Sequence, residues 1–196
     1  MEGKHADVVC QALSSIHELC KFSNHLCDSA GKTLEAAAMM HLLSADHRVR
    51  ALSLRIISLV SQNQTVISAS VKDPDSRVRV AALQSLLTLH HRGTLLSVSL
   101  YDLAQFALRD DIEEVRYEAI TLILSVPSPF SFVFLLLSHH FRAFFRSAMS
   151  QLYSKTKLFY HSHKVRLVDD GFVKICDMVN DTSIRVRTKV TPILFA

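Results

Sequence analysis

The chain has 196 residues, 49% hydrophobic and 20% charged, with a formal net charge of +4. This composition supplies a core and excludes general disorder, while four Gly and four Pro are too few for the turns of a sandwich or barrel. The mild basicity, with a pI near 9.0, falls short of the dense basic stripe of a nucleic-acid binder, so direct nucleic-acid binding is not expected.

Apolar residues at Val9, Leu13, Ile16, Leu19 (or Cys20), Phe22 and Leu26 recur in steps of three and four. They predict one helix over 6–29, with Gly31 as its stop. A second helix is expected over 33–44 and a third over 48–61, the latter with Val49, Leu52, Ile56 and Leu59 in phase. Further helical segments are expected at 63–72, 75–90, 96–108, 112–125, 165–179 and 183–191. No convincing period-two strand is found, so the chain reads as all-α.

The helices repeat. Asp46, Asp75, Asp111 and Asp181 each precede a Val-Arg pair, at Val49-Arg50, Val78-Arg79, Val115-Arg116 and Val186-Arg187. The pairs are spaced by 29, 37 and 71 residues, the last about two repeat lengths. An Asp suits a helix N-terminus, where free N–H groups and the positive dipole end favour a carboxylate. The Val is expected in the inter-helix core, and Ala81, Ala82 and Ala119 allow close approach. The Arg is expected to reach an Asp of the adjacent repeat. Asp46, Arg50, Asp75, Arg79, Asp111, Arg116, Asp181 and Arg187 thus form a candidate structural ladder. Arg48, Arg77 and Arg185, two residues ahead, are the candidate partner surface.

Together these features point to a HEAT/armadillo-type α-solenoid of about four repeats, each burying its apolar face against its neighbours. Three stretches carry a closer resemblance: DPDSRVRVAALQSLLTLHHRG (73–93), LYDLAQFALRDDIEEVRYEAITLI (100–123) and VRLVDDGFVKICDMVNDTSIRVR (165–187). They resemble the N-terminal HEAT region of the Integrator complex subunit 4 family, including its plant relative, the SHORT-ROOT-interacting embryonic lethal protein. The resemblance implies a non-catalytic scaffold supporting 3′-end processing of small nuclear RNA. It also implies a nuclear (and possible cytoplasmic) location and other Integrator subunits, the endonuclease pair among them, as partners. The plant relative implies an alternative: an adaptor that binds mobile transcription factors and promotes their movement between cells. A further alternative is a truncated product without function.

The expected organisation is HEAT-like repeats over 1–126, an anomalous Phe-rich insertion over 127–149, and a further repeat over 150–196 that is truncated at its C-terminal helix. Pro127–Met149 holds six of the eleven Phe and two of the four Pro. It reads as a retained intron or misplaced exon boundary, with a packed hydrophobic insertion as the alternative. Pro192 is expected to break the last repeat helix.

No catalytic set, cofactor or metal site is read. His161-Ser162-His163 lacks the following Asp and His of a nuclease metal motif, and His90-His91 and His139-His140 are adjacent pairs that point apart. Asp110-Asp111 and Asp169-Asp170 are explained by helix starts. No Gly-rich phosphate loop occurs. Cys10, Cys20, Cys27 and Cys176 include no C-x-x-C pair, and reduced core thiols are expected. Met1–Asp7 has no apolar signal region. Phe130–Leu137, broken only by Ser131, is far short of the roughly 20 residues of a membrane span.

Overall fold

The computed structural model describes residues 2–94, 98–125 and 174–195. Every described element is helical: α1 (Glu2–Phe22), α2 (Asn24–Met40), α3 (His47–Val60), α4 (Gln64–Ala69), α5 (Ser76–His91), α6 (Val98–Ala107), α7 (Glu113–Ser125) and α8 (Ile184–Phe195). Short 3-10 turns at His41–Leu43, Ser70–Lys72 and Met178–Asn180 precede α3, α5 and α8. The chain divides into two compact units, Met1–Leu122 and Ile123–Ala196. The all-α expectation is borne out, while the tract 127–149 and most of 165–179 lie outside the described residues.

In the first unit α3 packs against α1 on one side and α5 on the other, with α2 against α3 and α4 against α5. This is the stacked helix-pair logic of a solenoid, in which each repeat completes its neighbour's core. Leu54, Ile56 and Ile57 of α3 are fully buried, as are Leu83, Leu86 and Leu89 of α5. The valines of all four Val-Arg pairs are 1% exposed or less. Ala81, Ala82 and Ala119 are equally buried, which lets the helix backbones approach. In the second unit α8 packs on the Met178–Asn180 turn and buries Val186 and Val190.

Three sequence expectations are corrected. The single helix over 6–29 is two helices, broken at Ser23. That residue is extended (φ −129°, ψ 93°), and its hydroxyl accepts from the Leu26 N–H at 3.2 Å, capping α2. A one-residue break leaves the apolar rhythm running, so the stripe is right at Leu13 and Cys20, which are buried, and wrong at Leu19 and Phe22, which are exposed. Gly31 is not a stop. It lies inside α2, where an added Cβ would sit 3.4 Å from the Val60 carbonyl oxygen, so it serves close packing of α2 on the end of α3. Pro192 does not end α8, which runs on to Phe195. It falls in the last turns of α8 (Ile184–Phe195), and the turns before it are anchored by the buried Val186 and Val190.

Gly93 ends α5. Its φ is +83°, its N–H donates to the His90 carbonyl at 2.9 Å, and the Thr94 N–H donates to the Leu89 carbonyl at 3.0 Å. This is the Schellman arrangement, which requires a left-handed residue. Nothing lies within 4 Å of an added Cβ there, so Gly93→Ala meets only backbone strain. It is expected to cost about 1 kcal/mol, read from urea melts. An unchanged midpoint would contradict the motif.

Candidate functional site: the Arg ladder and its charged edge

Each Val-Arg pair sits in the same local frame. The Arg is five residues into the turn-to-helix passage, and its backbone N–H closes the first helical turn, donating to the carbonyl of Asp46, Asp75, Ile112 or Ser183. Its side chain then folds back. Nη1 of Arg50 donates to the carbonyls of Ser44 and Ala45 at 2.8 and 3.1 Å. Arg79 does the same to Asp73 and Pro74 at 3.0 and 3.2 Å. Arg116 reaches Asp110 and Asp111 at 2.8 and 3.1 Å, and Arg187 reaches Asp181 and Thr182 at 2.6 and 3.0 Å.

The residue six positions ahead of each Arg is also equivalent. A side-chain oxygen of Ser44, Asp73, Asp110 and Asp181 accepts the N–H two residues on, at 3.3, 2.8, 3.0 and 2.7 Å. Among the described residues, the carboxylates of Asp73 and Asp110 take a second load from the preceding repeat. Arg50 donates from Nε and Nη2 to Asp73 at 3.0 and 2.9 Å. Arg79 donates in the same way to Asp110 at 2.7 and 2.9 Å. Both rungs are forked, charge-assisted pairs. Their side chains are largely shielded, with 17% exposure for Arg79 and 13% for Asp110.

The expected ladder residues therefore separate. Arg50, Arg79, Arg116 and Arg187 share one position, but Asp46, Asp75, Asp111 and Asp181 do not. Asp46 and Asp75 are four residues ahead of their Arg and cap α3 and α5, accepting from the N–H of Arg48 and Arg77 at 2.8 and 2.9 Å. Asp111 is one step out of register and offers its carbonyl, and Asp181 takes the position six ahead. Among the described residues the acceptors that join repeats are Asp73 and Asp110, which the repeat pattern alone does not single out. Further ties run alongside: Arg55 of α3 to Gln84 of α5 at 3.3 Å, and Gln84 to Glu118 of α7 at 2.9 Å. Arg92 donates to the Ser58 carbonyl at 2.7 Å, fastening the far end of α5 to α3.

Arg48 and Arg77 lie on the surface, as expected, with side chains 50% and 67% exposed. Neither presents a bare charge. Arg48 binds Asp46 at 2.7 Å and Asp7 of α1 at 2.8 Å, and Arg77 binds Asp75 at 2.9 Å. His47 stands between them, its Nδ1 3.6 Å from Asp75 and 3.4 Å from the Arg77 guanidinium. The helix starts of α1, α3 and α5 thus carry a continuous edge of alternating charge. Arg185, in α8, is exposed.

These bonds hold the carboxylates ionised. Hydrogen bonds from the Arg48 side chain and N–H lower Asp46 to about 2. The Arg77 side chain holds Asp75 well below the usual carboxylate range. Burial pushes Asp110 up, but the hydrogen bonds from Arg79 and the Ile112 N–H, with the charges of Arg79 and Arg116, bring it below its ordinary value. Carboxylates whose folded pKa lies below the unfolded value of about 3.9 stabilise the fold above that pH, and the gain is lost as pH falls through the folded value. Thermal melts are therefore expected to hold steady from pH 7 to about 5 and to fall between about pH 4 and 2. A melting temperature unchanged down to pH 2 would contradict the ladder.

The remaining motifs form no reactive set. Cys27 Sγ donates to the Cys20 carbonyl at 3.4 Å, and burial, with Cys27 alongside, pushes the Cys20 thiol up to about 11, so it stays protonated. The two line an open cleft of about 460 Å³ with Leu59, Thr88 and Arg92. The His90 and His91 rings lie 6.1 Å apart. Among the described residues no group of three His, Cys, Asp or Glu could hold a metal ion, and no helix is long and apolar enough to cross a membrane. The His139, His161 and Asp169 motifs lie outside the described residues.

Stacked helix pairs, a buried Val and a forked Arg–Asp rung between successive repeats define an α-solenoid of the HEAT type. No protein-family model matches the chain. It is similar to Integrator complex subunit 4 of Mus musculus, with 32% identity over 175 residues, covering 80% of this chain and 16% of that protein. The Homo sapiens protein of the same name is 36% identical over 133 residues, covering 67% of this chain and 11% of its own length. The Dictyostelium discoideum homolog is 36% identical over 125 residues, covering 63% and 8%. The resemblance read from the residues is borne out, and the chain spans less than a fifth of the length of these relatives.

Proposed function

We propose that the chain is a non-catalytic scaffold segment of the Integrator complex, acting in the nucleus in support of 3′-end processing of small nuclear RNA. The observation that carries this reading is the identity of about a third to Integrator complex subunit 4 across most of the chain. Its architecture suits the role. Rungs at Arg50–Asp73 and Arg79–Asp110 stiffen consecutive repeats, and a braced array holds a surface in fixed register. The surface offered by the first unit is the edge at Arg48 and Arg77. Both arginines are matched to carboxylates, so the edge suits an alternating-charge protein partner better than a run of phosphates, which calls for unneutralised cations. The partners proposed are other Integrator subunits, including the endonuclease pair.

Affinity purification of the tagged chain from nuclear extract, with mass spectrometry, tests this. Enrichment of Integrator subunits over an untagged control is expected, with loss of enrichment on joint Arg48→Glu and Arg77→Glu substitution. Recovery of transcription factors without Integrator subunits would overturn the reading.

A further inference from the structure

A second row of exposed residues runs through the first unit, at the ends of α2, α4 and α6. Counted back from Arg50, Arg79 and Arg116, the tenth position holds Met40, Ala69 and Phe106, and the seventh holds Leu43, Lys72 and Arg109. All six are exposed, among them the large apolar side chains of Leu43 at 93%, Met40 at 76% and Phe106 at 61%. Equivalent positions fall at the same end of successive helix pairs. Two of these residues meet across repeats, with the Lys72 Nζ 5.6 Å from the centre of the Phe106 ring. A single exposed apolar residue is ordinary, but apolar residues in a shared row with a cation among them have the composition of a contact surface.

Charge selects what the row accepts. Asp73 and Asp75, which follow Lys72 in the chain, are taken by Arg50 and Arg77, and among the described residues Lys72 has no carboxylate within ion-pair distance. The third repeat carries Arg109 but also the exposed Asp102 and Asp111. The middle of the row is therefore an unmatched cation between two apolar anchors. We infer that the row binds an extended acidic segment of a partner protein, with an apolar side chain at each end and a carboxylate between them. One end packs on Met40 and Leu43, the other on the open side of Phe106, and the carboxylate meets Lys72. Helices of adjacent repeats pack about 8–10 Å apart and an extended chain advances about 3.3 Å per residue, so anchors two repeats apart call for apolar residues about five or six positions apart. This row is distinct from the edge at Arg48 and Arg77, whose arginines are already paired, and the inference stands whether or not the chain serves Integrator.

Selection of a random short-peptide library, displayed on phage, against the full chain tests this. The selected peptides are expected to carry Asp or Glu between two apolar residues at that spacing. One such peptide, synthesised and titrated by fluorescence anisotropy, is expected to lose about tenfold in affinity on Leu43→Ser and on Phe106→Ser. The Tm should hold in both variants, because both side chains face solvent. Lys72→Glu should weaken the acidic peptide and strengthen its counterpart with Lys in place of the acid, a reversal that a merely structural role of Lys72 would not produce. No enriched peptide, enrichment of peptides without an acid, or binding indifferent to Leu43 and Phe106 would overturn the inference. Self-association of the chain that Leu43→Ser abolishes would assign the row to a second copy and overturn it equally.

Discussion

Arg79→Ala is expected to destabilise the first unit by about 1–3 kcal/mol. The substitution strands the Asp110 carboxylate, which is 13% exposed and takes both outward donors of Arg79. It also leaves the Asp73 and Pro74 carbonyls without their shared donor. Leaving a shielded charge unpaired costs more than the pair's net contribution, because the partner remains desolvated. Arg77→Ala is the control. Its side chain is 67% exposed, and water replaces what is lost, so a shift in Tm under about 2 °C is expected. Equal shifts at the two positions in parallel melts would show that the rung bears no load.

Leu86→Ala is expected to cost about 2–5 kcal/mol. Leu86 is fully buried in α5, the helix that packs on both α3 and α4. Removing its branched end forfeits apolar burial and leaves a cavity that neighbours fill only in part. Leu43→Ala makes the contrast, since that side chain is 93% exposed and loses little. Urea melts read both, and a cost at Leu86 below about 1 kcal/mol would show that the layer collapses around the gap.

Much of the fold was legible because two signals agreed. The three-to-four rhythm places α3, α5, α6 and α7 to within a few residues, and Asp46 and Asp75 mark helix starts by a capping chemistry that the structure contains. Misreadings came where one residue type serves two ends. Gly31 packs where a Gly also stops helices, and Ser23 breaks a helix without disturbing its apolar phase. The ladder was half legible. Val-Arg is a strong mark, but Asp46, Asp75, Asp111 and Asp181 stand at unequal distances ahead of it, so the helix caps and the position six residues ahead of the Arg are mixed. A fixed offset of six from each Arg selects Ser44, Asp73, Asp110 and Asp181. The first of these lacks a carboxylate. The joining of Arg79 to Asp110, 31 residues away, depends on how repeats stack, which local pattern does not encode.

The most direct measurement of that stacking is a pair of double-mutant cycles in which Arg79→Ala is combined with Asp110→Ala and, separately, with Asp75→Ala, each read by urea melts. If the rung runs from one repeat's Arg to the carboxylate six ahead of the next Arg, Arg79 and Asp110 couple by about 1–2 kcal/mol, while Arg79 and Asp75 stay within about 0.5 kcal/mol of additivity. Additivity between Arg79 and Asp110, or stronger coupling to Asp75, would contradict it.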